Sequence, residues 1–182
     1  SVAWGTTLLD LATLKETPDA LPAAGPFSPD GQRVASGDTV WNLADRSRPP
    51  VKYHLGESAI TQFLTDRIVL ARAGKDAVVW LLGEKEARPL GKLVNARAVG
   101  SPDGKLIAAA PRAEDAAVEL HEVSEAGVTL KHTLPGPEGK VRKDGDAYGP
   151  QVAFSANGRL ALVGLLPETS VHLWTLTPDG PK

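Results

Sequence analysis

Four histidines come first, because an imidazole can hold a metal or carry a proton near neutral pH. His54 and His132 fall in segments that read as outer strands, and His121 takes a position that tryptophan holds elsewhere in the chain. His172 alternates with Val171 and Leu173 and so points to the opposite face of its strand. No two of them stand at an H-x-H or H-E-x-x-H spacing, so no metal site is expected. A serine nucleophile would need Gly-x-Ser-x-Gly, but GESAI at 56–60 lacks the closing glycine and reads as a turn leading into a strand. GPEGK at 136–140 does not have the spacing of a phosphate loop. There is no cysteine, hence no thiolate and no disulfide. No catalytic residue and no cofactor is expected.

Two other segments suit recognition. Residues 136–150, GPEGKVRKDGDAYGP, carry Lys140, Arg142, Lys143, Asp144, Asp146 and Tyr148, and residues 111–116, PRAEDA, carry Arg112, Glu114 and Asp115. Mixed charge with an aromatic suits a polar binding rim, and a solvated insertion of little entropic cost is the other reading. Asp144 and Asp146 do not make a calcium loop, because the further oxygen ligands are missing.

These loops need a scaffold, and the chain writes one repeatedly. FSPDG at 27–31, GSPDG at 100–104 and FSANG at 154–158 recur, with FLTDR at 63–67 as a degenerate copy. Proline presets φ, aspartate bonds its own backbone and glycine takes the positive-φ corner, so each is a tight turn and Asp30 and Asp103 are explained by it. Downstream of the turns come β-branched strands ending at Trp41, Trp80, His121 and Trp174, with Leu9 as a first copy. Their pitch of roughly 40 residues is that of four short strands and their turns. The last interval is the longest, and its surplus is the 136–150 loop. Leu-x-Gly or its like, at 54–57, 89–92 and 133–136, closes each unit.

In that order of landmarks the chain resembles the tryptophan-aspartate (WD) repeat family of β-propellers, its best copy lying at 152–176. The resemblance implies an all-β propeller of four-stranded antiparallel blades. About four to five blades of a seven- or eight-bladed ring are expected, at 1–22 (incomplete), 23–56, 57–93, 94–135 and 150–176 (incomplete). Because the two incomplete blades do not combine into one, a further segment or a second chain is expected to finish the ring. The family's Trp-Asp and Gly-His pairs are replaced, as in Trp41-Asn42, Trp80-Leu81 and Gly91-Lys92. Its buried polar network is therefore not expected, and blades must hold by apolar packing. The last six residues, TPDGPK, read as a turn that stops.

The resemblance implies a non-catalytic scaffold that binds a protein or peptide partner through top-face loops, where both charged segments would lie. The alternative is an enzymatic propeller of lactonase or hydrolase type with a polar channel. Its first strands would read GPF, ITQF, ARAV and QVAF, in which Gln62, Arg97 and Gln151 are the only polar hints of such a channel. A carbohydrate binder would repeat exposed aromatics, and this chain does not. With 22 acidic and 20 basic side chains and a net charge of −2, nothing attracts a polyanion, so no nucleic acid is expected as partner. Apolar runs at 77–82 and 160–166 fall short of the ~20 residues a membrane helix needs. A soluble, membrane-free protein is expected, with the cytoplasm favoured and the redox compartment left open.

Overall fold

The computed structural model describes residues 6–10, 15–21, 25–45, 47–112, 117–135, 151–157, 160–163, 171–177 and 180–182. Among them there is no helix, and every strand pairing is antiparallel. Strand β1 (Thr6–Asp10) pairs with β2 (Lys15–Leu21). A three-stranded sheet follows: β3 (Arg33–Ser36), β4 (Thr39–Asn42) and β5 (Val51–Lys52). Two four-stranded sheets come next. One runs β6 (Ala59–Phe63), β7 (Ile68–Ala73), β8 (Asp76–Leu82) and β9 (Ala87–Leu93). The other runs β10 (Ala96–Gly100), β11 (Leu106–Pro111), β12 (Val118–Ser124) and β13 (Gly127–Leu134). Strands β14 (Gln151–Phe154), β15 (Leu160–Val163) and β16 (Val171–Trp174) form another three-stranded sheet. In every sheet, order in space follows order in sequence, as successive hairpins dictate.

Inner strands such as β7, β8 and β11 read as near-continuous apolar runs because the two four-stranded sheets are packed on both faces. Along β7, Ile68 and Leu70 point into a core shared with the next sheet, whose contributions include Ile107, Ala109 and Val123. Val69, between them, points the other way, into a core with Ala35 and Val40 of the preceding sheet and Tyr53 and Leu55 of the connection that follows it. Strand β11 repeats the arrangement. Its Ile107 and Ala109 face back, while Ala108 and Ala110 face forward with Val118, Leu120 and Leu134 onto a layer that includes Val152, Phe154 and Trp174. Three apolar layers thus join four successive sheets. The polar network that the WD pattern would place beside the tryptophan is missing at Trp80, whose indole N–H is buried without a hydrogen-bond partner among the described residues. Trp41 and Trp174 are half-buried, and His121, in the tryptophan position, is buried with its Nε2 3.0 Å from Glu119 Oε2.

The repeated turns do more than bend. Asp30 Oδ1 accepts the Ser28 hydroxyl at 2.5 Å and the Gln32 N–H at 3.0 Å, and Ser28 Oγ accepts the Arg33 N–H at 2.9 Å. Ser101, Asp103, Lys105 and Leu106 reproduce this at 2.6, 3.2 and 2.9 Å. The serine is thus a structural hinge pin whose part the turn chemistry alone does not announce. The serine hydroxyls are the main reason that both carboxyls sit below their ordinary value.

Three details differ from the sequence reading. The strand expected ahead of residue 28 shrinks to one bridge between Phe27 and Val34, because Pro26 and Pro29 crowd it with residues that lack an N–H. The strand expected to close that unit keeps only Val51 and Lys52. The final residues do not simply turn and stop. Leu176–Thr177 (β17) pairs with Gly180–Pro181 (β18), Thr175 and Lys182 exchange backbone bonds at 2.9 and 3.0 Å, and β18 packs beside β13, where Gly180 lies against the His132 ring.

Two predictions follow from the turns. Gly31 and Gly104 hold the same place in the motif, at φ 69° and 71°. A Cβ on Gly31 would meet open space, whereas one on Gly104 would lie 1.9 Å from the Leu64 carbonyl oxygen. Gly31→Ala should therefore cost about 1–2 kcal/mol in urea unfolding, the left-handed penalty alone, and Gly104→Ala at least about 3 kcal/mol; equal costs would refute the contact. The second concerns acid. A carboxyl with a lowered folded pKa lends stability that is complete above its unfolded value, here 3.8, and fades as pH falls through the folded one. The urea midpoint should drop below about pH 4, and Asp103→Asn, which keeps the acceptor but not the proton site, should drop less steeply.

Candidate functional site

Register decides which ends of the strands meet. Arg72, near the end of β7, lies opposite Ala59 at the start of β6, and Ala77 lies opposite Leu93. Pro111, at the end of β11, lies opposite Ala96. The connections at 53–58, 74–75 and 94–95, and the departure of the chain at Arg112, therefore share one end of the molecule, away from the Ser-Pro-Asp-Gly turns. At that end a cleft of about 450 Å³ opens between the two four-stranded sheets, lined by Thr61, Arg72, Arg97 and Arg112 among small residues such as Ala71, Ala96 and Ala98.

A chain of hydrogen bonds sets the third arginine in place. Lys92 Nζ lies 2.7 Å from Asp76 Oδ2, and Asp76 Oδ1 accepts the Asn95 N–H at 2.8 Å. The Asn95 carbonyl accepts the Arg112 N–H at 2.8 Å. The Asn95 N–H, and after it Lys92, hold the Asp76 carboxyl below the ordinary value. Asn95 itself adopts the left-handed conformation, φ 48°, which asparagine tolerates better than most residues. Burial, then the charges of Arg97 and Arg72, push the Arg112 guanidinium below its usual pKa. Its Nε is buried without a hydrogen-bond partner among the described residues. Arg97 is engaged in an interaction of its own, and Arg72 is exposed.

Of the residues singled out from sequence, Lys140, Arg142, Lys143, Asp144, Asp146, Tyr148, Glu114 and Asp115 lie outside the described residues. Arg112 is described and stands in the cleft with Arg97, one of the three polar residues noted on the first strands. Gln62 serves the backbone instead: its amide donates to the Gly100 carbonyl at 3.2 Å, and its oxygen accepts the Gly100 N–H at 2.9 Å. It ties β6 to β10, where a Cβ on residue 100 would strike Leu64. Gln151 stands in β14 opposite Val163. His54 and His132 are exposed. Among the described residues, no three histidine or acidic side chains gather as a metal site would require.

Arg72 escaped the sequence reading, yet a signal was there. Arg72 and Arg97 each lie between two alanines, and Arg112 between Pro111 and Ala113. Small neighbours leave room for long cationic side chains to converge.

No family model matches the chain, and no curated protein matches it. A solved structure from Bacteroides uniformis ATCC 8492, named provisionally as a 6-phosphogluconolactonase, is similar over 97% of this chain at 15% identity, with a TM-score of 0.59. A chain of the mitotic checkpoint complex is similar over 76% of this chain at 18% identity, with a TM-score of 0.49, and 45% of that chain is covered. This chain spans 61% of the length of the first. At such identities the likeness is one of fold, and with the sheet architecture it defines the class: the fold is of β-propeller type, built from four-stranded antiparallel blades.

The Gln62 bridge is testable. Gln62→Leu leaves the Gly100 N–H and carbonyl without their side-chain partner, so it should lower unfolding free energy by about 1–3 kcal/mol. A urea midpoint equal to that of the unchanged protein would show that water replaces the amide without cost.

Proposed function

We propose that this chain is a non-catalytic interaction platform of the WD-repeat kind, which receives a protein or peptide partner at the end where the cleft opens. The observation that carries this reading is the composition of that end. Val94 stands 70% exposed on the tight turn between β9 and β10, and two residues on, Ala96 lines an arginine-bearing cleft. An apolar contact beside a cationic recess is what a small binding rim needs. Asp30, Asp76 and Asp103, three of the described carboxylates, are engaged by neighbouring hydrogen bonds. A lactonase- or hydrolase-like enzyme is the second reading, and the fold of the Bacteroides structure is what favours it.

The test is selection from a displayed random-peptide library on the immobilised protein. Enriched peptides should lose at least about tenfold in affinity for Val94→Asp, a change at a solvent-facing site that leaves the cores intact. Equal binding to both proteins would place recognition elsewhere, and turnover of a lactone or ester panel would replace the platform by the enzyme.

A further inference from the structure

We infer that the cleft between the two four-stranded sheets is a binding site for a phosphate monoester, held by Arg72 and Arg112 with Arg97 beside them. The chain as a whole is slightly acidic, with a net charge of −2, so three guanidinium groups around one recess are not a by-product of a basic surface. Two of the three, Arg72 and Arg112, make no ion pair among the described residues. The Nε of Arg112 is a buried donor without a hydrogen-bond partner among the described residues. Like charges gathered around a partly dry recess, with a donor left over, form an arrangement that a bound anion completes.

The number of charges selects the anion. Arg72 and Arg112 pair with no acid among the described residues, which leaves at least two positive groups to be matched. A phosphate monoester carries about −1.5 to −2 near neutral pH and offers three strong acceptor oxygens. A carboxylate brings one charge and two oxygens, so it would satisfy one arginine fork and leave the other. A cleft of about 450 Å³ also exceeds what the phosphate group needs and lies in the range of small-ligand sites, leaving room for the carrier atoms. The site stands on its own geometry, and only the source of the group, a phosphorylated side chain of a partner, rests on the platform reading.

Titration calorimetry at constant ionic strength tests this with four probes: inorganic phosphate, a short phosphoserine peptide, the same peptide unphosphorylated, and its glutamate version. Phosphate should bind, and Arg72→Gln and Arg112→Gln should each weaken it by at least about tenfold. Lys105→Gln, which removes the same charge beside a turn at the opposite end, should stay within about twofold. Arg112→Gln should melt no lower than the unchanged protein, which separates lost binding from lost folding. A phosphopeptide at least about tenfold tighter than phosphate puts the group on a partner protein. Equal affinity of the two also supports the site but assigns it to a small phosphorylated molecule, and there the platform reading fails alone. Undiminished phosphate binding by Arg112→Gln, no phosphate binding at about 10 mM, or a glutamate peptide that binds as tightly as the phosphopeptide overturns the inference.

Discussion

The fold depends on sheets whose inner strands are packed on both faces. Each of the two four-stranded sheets is clad by a neighbour before it and a neighbour behind it, so odd and even residues of β7 and β11 belong to different cores. That demand explains the apolar runs, the alanines of β11 beside its larger residues, and the close approach of Gly91 to Val128 on the outermost strand of the next sheet. It also explains why polar side chains in the body of the fold serve the main chain. Gln62 bridges two first strands, and Ser28 and Ser101 pin the turns that set strand register.

Much of the fold is legible in the sequence because its signals are local. A Ser-Pro-Asp-Gly turn is a property of four adjacent residues, and glycine at φ 69° or 71° is what its chemistry requires. Strands that recur at a steady pitch need only their own alternation to be seen. The short Val51–Lys52 strand, the lone Phe27 bridge and the closing hairpin depend on what packs against them, which no local pattern records.

The candidate site was half legible for the same reason. Arg112 stands out in the sequence as part of a charged loop and Arg97 as a polar residue on a first strand, but their meeting is a consequence of antiparallel register and of the packing of one sheet on the next. Arg72 stands near the end of an apolar strand and belongs to no motif. Only the arrangement makes three separate arginines one electrostatic object, and it does so against the overall acidity of the chain.

The staple from Lys92 through Asp76 and Asn95 to the main chain of Arg112 runs between neighbouring sheets. The anchor grips the peptide unit rather than the guanidinium, so the root of the side chain is fixed from the adjoining sheet while its buried Nε is held by no described residue. A substitution at Asn95 would thus re-aim a cation it never touches, and inheritance of the cleft would be a property of two repeats together, not of either alone.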